Sequence, residues 1–206
     1  MEDVLAVYER AFDEQRPLVC LDETTKQLVK ETRLSLPAKP GHPQYIDYEY
    51  ERAGVATLFM LCAPLLGWRE VRVTESKTGI DYAHCLKYLA ETVFAQADKI
   101  ILVQDNLNTH IPASLYRAFR PEKARELIER FEFHYTPKHA SWLNVAECEL
   151  SAMARQCLNR RIPDRQTLTG QLRAWQQQRN EANVRINWQF TTKDARIKLR
   201  RLYPSI

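Results

Sequence analysis

Short apolar runs along the chain are separated by segments with helical periodicity. Residues 18–21, 53–62 and 99–103 predict buried strands, because strands covered on both faces are apolar at nearly every position. Residues 68–74 alternate apolar and polar side chains and predict a further strand, and residues 131–135 predict a fifth. Helices are predicted at 1–15, 80–95, 112–119, 121–130, 143–158 and 166–182. This order of elements predicts an α/β fold in which helices pack on a mixed sheet.

The charged residues are divided unevenly along the chain. Residues 150–206 carry 12 basic and 3 acidic side chains, whereas residues 1–149 carry 18 basic and 23 acidic ones. A basic segment behind an acidic body indicates a polyanionic partner. A solvated helical face is the alternative that charge alone leaves open.

Several classes of protein are excluded by pattern and composition. The longest uncharged run, residues 53–68, is interrupted by Gly54, Pro64 and Gly67 and is too short to span a bilayer. The first residues lack the basic and apolar segments of a signal peptide. Five scattered cysteines without a Cys-x-x-Cys pair favour neither a disulfide framework nor a zinc ribbon. We therefore expect a cytoplasmic protein with no membrane segment.

Two aspartates follow predicted buried strands. Asp22 comes directly after residues 18–21, and Asp105 comes after residues 100–104. The carboxyl ends of strands are the edge at which open α/β sheets bind ligands. A single aspartate in such a place is more often a turn or cap residue, and two in equivalent positions leave a functional site and a structural role equally open. If the two strands are neighbours, the carboxylates converge within reach of a bridging metal ion.

A third carboxylate is predicted from helical geometry. At about 100° per residue, the helix from Leu143 places one apolar stripe toward the core. Its members are Leu143, Ala146, Leu150, Met153, Cys157 and Leu158. Glu147 falls inside this stripe, and Glu149 lies on its opposite edge or beyond, about 160° from Glu147. A core-facing carboxylate is costly unless it is paired or bound to metal, although it could also reach solvent or an arginine. Three such acids would suit Mg²⁺ or Mn²⁺, which can activate water and stabilise the leaving oxygen of a phosphodiester.

Three segments resemble the motifs of DDE transposases, and most closely those of the mariner-related branch in bacterial insertion sequences. They are residues 22–24, Asp-Glu-Thr, residues 104–110, Gln-Asp-Asn-Leu-Asn-Thr-His, and residues 135–147, Tyr-Thr-Pro-Lys-His-Ala-Ser-Trp-Leu-Asn-Val-Ala-Glu. The patterns Asp-Asn-x-x-x-His and Pro-x-x-x-Ser-x-Leu-Asn-x-x-Glu are specific, and their order matches the family. The resemblance covers about residues 17–185.

The resemblance implies a ribonuclease-H-like mixed sheet flanked by helices. Asp22, Asp105 and Glu147 would be the catalytic and metal-binding residues, holding two Mg²⁺ ions, with Mn²⁺ as a substitute. The implied reaction is cleavage at transposon ends, followed by transfer of the freed 3′-hydroxyl into target DNA. On the same basis Glu147, and not Glu149, should be essential for cleavage. The 41 residues between Asp105 and Glu147 are a longer interval than in many relatives.

The resemblance also suggests how the chain is organised. We expect an N-terminal helix and linker at 1–16, the catalytic domain at 17–185 and a basic tail at 186–206. Full-length relatives begin with helix-turn-helix domains, so a separate N-terminal polypeptide would read the transposon ends. The implied partners are transposon-end and target DNA and a second copy of the chain, in the nucleoid of a bacterial cytoplasm.

Further residues receive roles by position. Supporting residues are Asn106, His110 and Asn144, and DNA-binding residues are Lys138, His139, Arg155, Arg160 and Arg161. A turn residue, a helix-start histidine and an exposed loop pair are the structural alternatives for Asn106, His110 and the pair Lys138 and His139. Two rival functions stay open: a ribonuclease-H-like nuclease that only hydrolyses, and a noncatalytic DNA-binding or assembly fragment.

Overall fold

The computed structural model describes residues 1–33, 37–43, 45, 48–138 and 140–203. The strands in these ranges are β1 (Leu18–Glu31), β2 (Tyr50–Ala63), β3 (Trp68–Thr74), β4 (Ile100–Gln104) and β5 (Phe131–Tyr135). The α-helices are α1 (Glu2–Tyr8), α2 (Gly79–Tyr88), α3 (Ala113–Ala118), α4 (Pro121–Glu129), α5 (Val145–Met153), α6 (Arg165–Glu181) and α7 (Thr192–Lys198). Single π-helical turns extend α2 through Leu89–Val93 and α5 through Ala154–Leu158.

The five strands form one mixed sheet in the order β3-β2-β1-β4-β5. Strands β1, β2 and β3 pair antiparallel, whereas β4 and β5 run parallel to β1. The predicted mixed α/β sheet is therefore confirmed. The long interval between Asp105 and Glu147 contains α3, α4 and β5.

Helices cover both faces of the sheet, and alternate strand residues separate the two cores. Cys20 and Val103 face a core that also contains side chains of α1, α5, α6 and α7. Leu21 and Leu102 face the other core, built with α2, α3 and α4. Burial on both sides explains why these strands are apolar at successive positions. None of the helices in the described ranges is long and apolar enough to cross a bilayer.

The largest differences from the predicted boundaries are in β1 and α1. Strand β1 continues past Asp22 to Glu31, because its pairing with β2 outlasts its pairing with β4, which ends at Cys20 and Val103. This extension is a largely exposed two-stranded ribbon, so the sequence has no apolar run there that would predict it. Helix α1 ends at Tyr8, well before residue 15, and the chain then turns at Asp13, whose side chain accepts a hydrogen bond from the Gln15 N–H.

Candidate active site

The sheet brings Asp22 and Asp105 to one place. Cys20 and Val103 are paired with each other in the parallel pairing of β1 and β4. Asp22 lies two residues after Cys20, and Asp105 lies two residues after Val103. Because side chains alternate along a strand, Asp22 lies on the face that Cys20 presents toward α5. Asp105 lies just past the end of β4, close enough for its charge to act on Asp22. Asp22 thus sits inside β1, at the level where β4 ends, and not at the end of its own strand.

The Asp22 carboxylate is buried and crowded by other acids. It is 7% exposed and accepts hydrogen bonds from the Glu23 backbone N–H at 2.8 Å and from the Asn144 side-chain amide at 3.2 Å. Burial raises its pKa to about 7, and the charges of Glu147, Asp105 and Glu23 add to the rise against the lowering effect of the Glu23 N–H. A carboxylate whose pKa is raised by burial and by neighbouring negative charges lies where a bound cation would be favoured.

Asn144 joins the first aspartate to the helix that carries Glu147. Its amide oxygen caps α5 by accepting from the Ala146 N–H at 3.1 Å. Its amide nitrogen donates to the Leu21 carbonyl at 2.8 Å as well as to Asp22. The motif asparagine is therefore buried structural support, and it fixes the start of α5 against β1.

Glu147 lies in the first turn of α5 and is half-buried. Within the described residues its carboxylate makes no hydrogen bond or ion pair, and its charge acts on Asp22. The predicted apolar stripe is confirmed, since all its members from Leu143 to Leu158 are buried. Glu147, which the prediction placed inside that stripe, is only half-buried, and the buried face also extends away from it to Val145 and Glu149.

Glu149 is the more buried of the two glutamates. It is 1% exposed and meets Arg69 of β3 at 3.3 Å and Arg179 of α6 at 2.9 Å. Arg69 is also 1% exposed, and its guanidinium donates to Asn180 at 3.1 Å and to the Val184 carbonyl. Burial lowers the pKa of Arg69, and the negative charge of Glu149 opposes that change. This cluster holds α5, α6 and the sheet together and leaves Glu147 as the glutamate of α5 that faces Asp22.

On the other side of the site, His110 bridges two acids. Its Nδ1 makes a short hydrogen bond with Asp105, and its Nε2 lies 3.1 Å from Glu23. Burial alone would lower the pKa of His110, but the hydrogen bonds to Asp105 and Glu23 raise it to about 9. Gln104 fixes the backbone of this loop by donating to the His110 carbonyl at 2.8 Å, and it accepts from Tyr82 at 2.8 Å.

Glu23 is a site neighbour that the sequence analysis did not identify. Its side chain is 4% exposed and points to the face opposite Asp22. The available signal was strand alternation. Glu23 follows the buried Leu21 at a spacing of two, which places a carboxylate in a core where it needs a partner.

A groove of about 420 Å³ opens beside the second aspartate. Its lining residues are Asp105, Asn106, Leu107, Thr136, Pro137, Lys138 and Ser141. Asn106 and Lys138 are exposed and lie in this groove with Asp105, where they could contact a bound molecule. His139 lies outside the described residues.

The three predicted arginines lie away from this groove, and two of them, Arg160 and Arg161, lie beside the β1–β2 ribbon. Arg155 is exposed on the turn after α5, and Arg160 is exposed beyond it. The Arg160 carbonyl accepts from Lys26 of β1 at 3.1 Å, and the Arg161 guanidinium lies 5.6 Å from the centre of the Tyr50 ring. These residues do not line the groove beside Asp105, but Arg160 and Arg161 bring basic residues beside the ribbon.

The acids do not form a ready-made metal cage. Among the residues that the structure describes, no three His, Cys, Asp or Glu side chains are arranged around a common metal position. Asp105 uses one oxygen, Oδ1, for His110 and for the Leu107 N–H. Within the same ranges its Oδ2 and the Glu147 carboxylate keep their acceptor positions. The donors present are hard oxygens, the type that Mg²⁺ and Mn²⁺ prefer.

The fold resembles solved transposase complexes. A crystal structure of the Mos1 mariner paired-end complex with Mn matches with a TM-score of 0.55 and 17% identity, covering 88% of this chain and 55% of that chain. A Mos1 transposase paired-end complex with the left transposon end matches with a TM-score of 0.56 and 17% identity over the same shares. This chain spans about half the length of those proteins, and at this identity the likeness establishes the ribonuclease-H-like fold alone.

Sequence comparison identifies the family. No curated protein matches the chain. Residues 17–169 match the DDE superfamily endonuclease family, and this segment contains Asp22, Asp105 and Glu147. Since the match extends over well more than half of the sequence, the chain belongs to the DDE superfamily endonuclease family.

Proposed function

We propose that this chain is the catalytic part of a DNA transposase. It cleaves phosphodiesters at transposon ends and transfers the freed 3′-hydroxyl into target DNA, in a reaction that depends on Mg²⁺. The observation that carries the proposal is the approach of Asp22, Asp105 and Glu147 from β1, β4 and α5, where the charges of the other two help to raise the pKa of Asp22.

The donor set fits divalent ions of the Mg²⁺ class. Asp22, Asp105 and Glu147 would hold them, because these three carboxylates offer only oxygen ligands and at least two of them keep free acceptor positions. Such ions, when bound, lower the pKa of an attacking water or hydroxyl and stabilise the leaving oxygen.

The chain's own residues orient these acids and receive the DNA. Asn144 holds Asp22 against the start of α5, and the protonated His110 holds Asp105 and offsets the charge of Glu23. Lys138 in the groove beside Asp105 is placed to attract a phosphate. The arginines along the ribbon would neutralise further phosphates without reading bases.

The likeness to Mos1 paired-end and strand-transfer complexes supports DNA as the partner. A homodimer in the active complex and a separate polypeptide that reads the transposon ends belong to the same proposal.

A joining assay tests this function. The purified chain is incubated with Mg²⁺ or Mn²⁺, a plasmid target and labelled duplexes that carry a free 3′-hydroxyl. We expect joined product from the wild type, and none from Asp22→Asn, Asp105→Asn or Glu147→Gln. Glu122→Gln, which neutralises an exposed acid on α4, is the matched control and should join normally. Because Asp22→Asn and Glu147→Gln relieve repulsion among acids, their melting temperatures should hold or rise. Asp105→Asn also loses its charged hydrogen bond with His110, so its melting temperature should fall.

The rival functions give different products in the same assay. Metal-dependent nicking without joining would identify a hydrolytic nuclease. DNA binding with neither nicking nor joining would identify a noncatalytic fragment. Wild-type joining by Asp22→Asn or Asp105→Asn would overturn the site assignment.

A further inference from the structure

We infer that Tyr8 is a positioning residue for the acid site and acts through Asn144. The inference rests on the proposed function and goes beyond it, because α1 lies before the segment that matches the family. It makes the N-terminal helix part of the support of the catalytic centre and not a linker to it.

The Tyr8 hydroxyl holds the backbone on both sides of Asn144. It donates to the Leu143 carbonyl at 2.8 Å and accepts from the Val145 N–H at 3.2 Å. Tyr8 is 8% exposed, and Leu143 and Val145 are buried, so water cannot replace these bonds without rearrangement. The hydroxyl therefore fixes the peptide units that enter and leave Asn144.

Asn144 passes this constraint to two of the acids. Its side chain contacts Asp22 and the Leu21 carbonyl, and its amide oxygen caps α5 at Ala146. The Val145 and Ala146 N–H groups would be unpaired at a helix start, and Tyr8 and Asn144 satisfy one each. A shift of Asn144 would thus move Asp22 and the first turn of α5, which carries Glu147.

The C-terminal segment supports Tyr8 from behind. The Trp188 ring lies 5.1 Å from the Tyr8 ring, centre to centre, and its indole N–H donates to the Phe190 carbonyl at 2.8 Å. Phe190 in turn packs edge-on against Trp142, two residues before Asn144. Segments from both ends of the described chain therefore hold the asparagine that links the acids.

The test measures Mn²⁺ binding to the full chain without DNA, by calorimetry, together with the rate of joining. Tyr8→Phe removes only the hydroxyl. We expect about tenfold weaker Mn²⁺ binding and a similar loss of rate, the scale typical of residues that orient metal ligands. Tyr88→Phe is the matched control, because it too removes a hydrogen-bonded hydroxyl, one that donates to the Glu70 side chain on the other face of the sheet. It should leave both values unchanged.

A double variant separates positioning from general destabilisation. If Tyr8 acts through Asn144, then Tyr8→Phe in an Asn144→Ala background should add no further loss of Mn²⁺ affinity. Independent, additive losses would overturn the inference, as would unchanged Mn²⁺ binding by Tyr8→Phe. Should Tyr8→Phe fail to fold, Trp188→Leu, which keeps the hydroxyl but removes its ring support, should show a smaller loss with the same non-additivity, and additivity there would overturn the inference.

The wild type distinguishes this inference from the proposed function. If the wild type binds no Mn²⁺, or if Asp22→Asn binds it equally well, the proposed function and the inference fail together. If the wild type binds Mn²⁺ through Asp22 and Tyr8→Phe does so equally, only the inference fails.

Discussion

Neutralising Glu147 and neutralising Glu149 should separate activity from stability. The two glutamates are in one helix, but Glu149 is buried against Arg69 and Arg179, whereas Glu147 is half-buried beside Asp22 and, among the described residues, has no hydrogen-bond or ion-pair partner. We expect Glu149→Gln to destabilise the chain while the folded fraction keeps most of its joining activity. We expect Glu147→Gln to abolish joining without lowering stability.

The expected loss of stability follows from the burial of Arg69. Removing one partner of a buried ion pair costs about 3–5 kcal/mol, because the other charge stays in the interior. Asn180 and the Val184 carbonyl still accept hydrogen bonds from the guanidinium, which favours the lower end, about 3 kcal/mol. For a domain of this size each kcal/mol shifts the melting temperature by about 2–4 °C, so the fall should be about 6–12 °C.

The assay compares thermal melts in metal-free buffer with joining at a temperature well below both transitions. Glu122→Gln again serves as the control for loss of an exposed glutamate. The reverse pattern, a stable but inactive Glu149→Gln beside an active Glu147→Gln, would mean that α5 is rotated about its axis and that Glu149 is the site glutamate. Equal stability of all three variants would refute the energetic reasoning about Arg69.

Two further predictions concern pH and salt. The hydrogen bond from Arg10, with help from His134 and Arg16, lowers the pKa of Glu132 to about 2, so its contribution to stability is present above about pH 4.5 and is lost as the pH falls toward 2. Glu132→Gln should therefore lower the free energy of unfolding by about 1–2 kcal/mol at pH 7, allowing for partial exposure, and by almost nothing near pH 2 in urea titrations. An equal loss at both pH values would contradict this. Binding of the full chain to duplex DNA should weaken with salt, with a log–log slope of about −0.9 per neutralised phosphate, and replacing the arginines at 155, 160 and 161 by glutamine should flatten that slope. Salt-insensitive binding, or strong preference among unrelated duplexes, would contradict phosphate binding by these arginines.

Local patterns predicted most of the fold. The bounds of β3 and β5 agree with the sequence prediction, and the stripe from Leu143 to Leu158 is buried as its periodicity requires. These features depend on neighbouring residues, so a single sequence contains them. The family resemblance added which acids to consider, since strand ends alone also suit turn residues.

Contacts between distant segments account for what the sequence could not give. The burial of Glu149 depends on Arg69 and Arg179, and helix periodicity cannot show that those cations lie opposite it. The role of Tyr8 depends likewise on the packing of α1 against the start of α5. From the apolar stripe alone we therefore placed Glu147 on the buried face, whereas Glu149 is the more buried of the two.

The protein compensates the negative charges of the acids differently on the two faces of the sheet. Burial raises the pKa of Asp22, and the nearby negative charges of Glu147 and Asp105 raise it further. On the α2 face, a buried histidine held between Glu23 and Asp105 supplies positive charge to the second aspartate. On the α5 face, Asp22 receives only neutral donors, the Asn144 amide and the Glu23 N–H, and no cation among the described residues pairs with Asp22 or Glu147. A bound cation would therefore be favoured between β1 and α5. On this side of the sheet Tyr8, Trp188 and the Glu149 cluster hold the backbone in place.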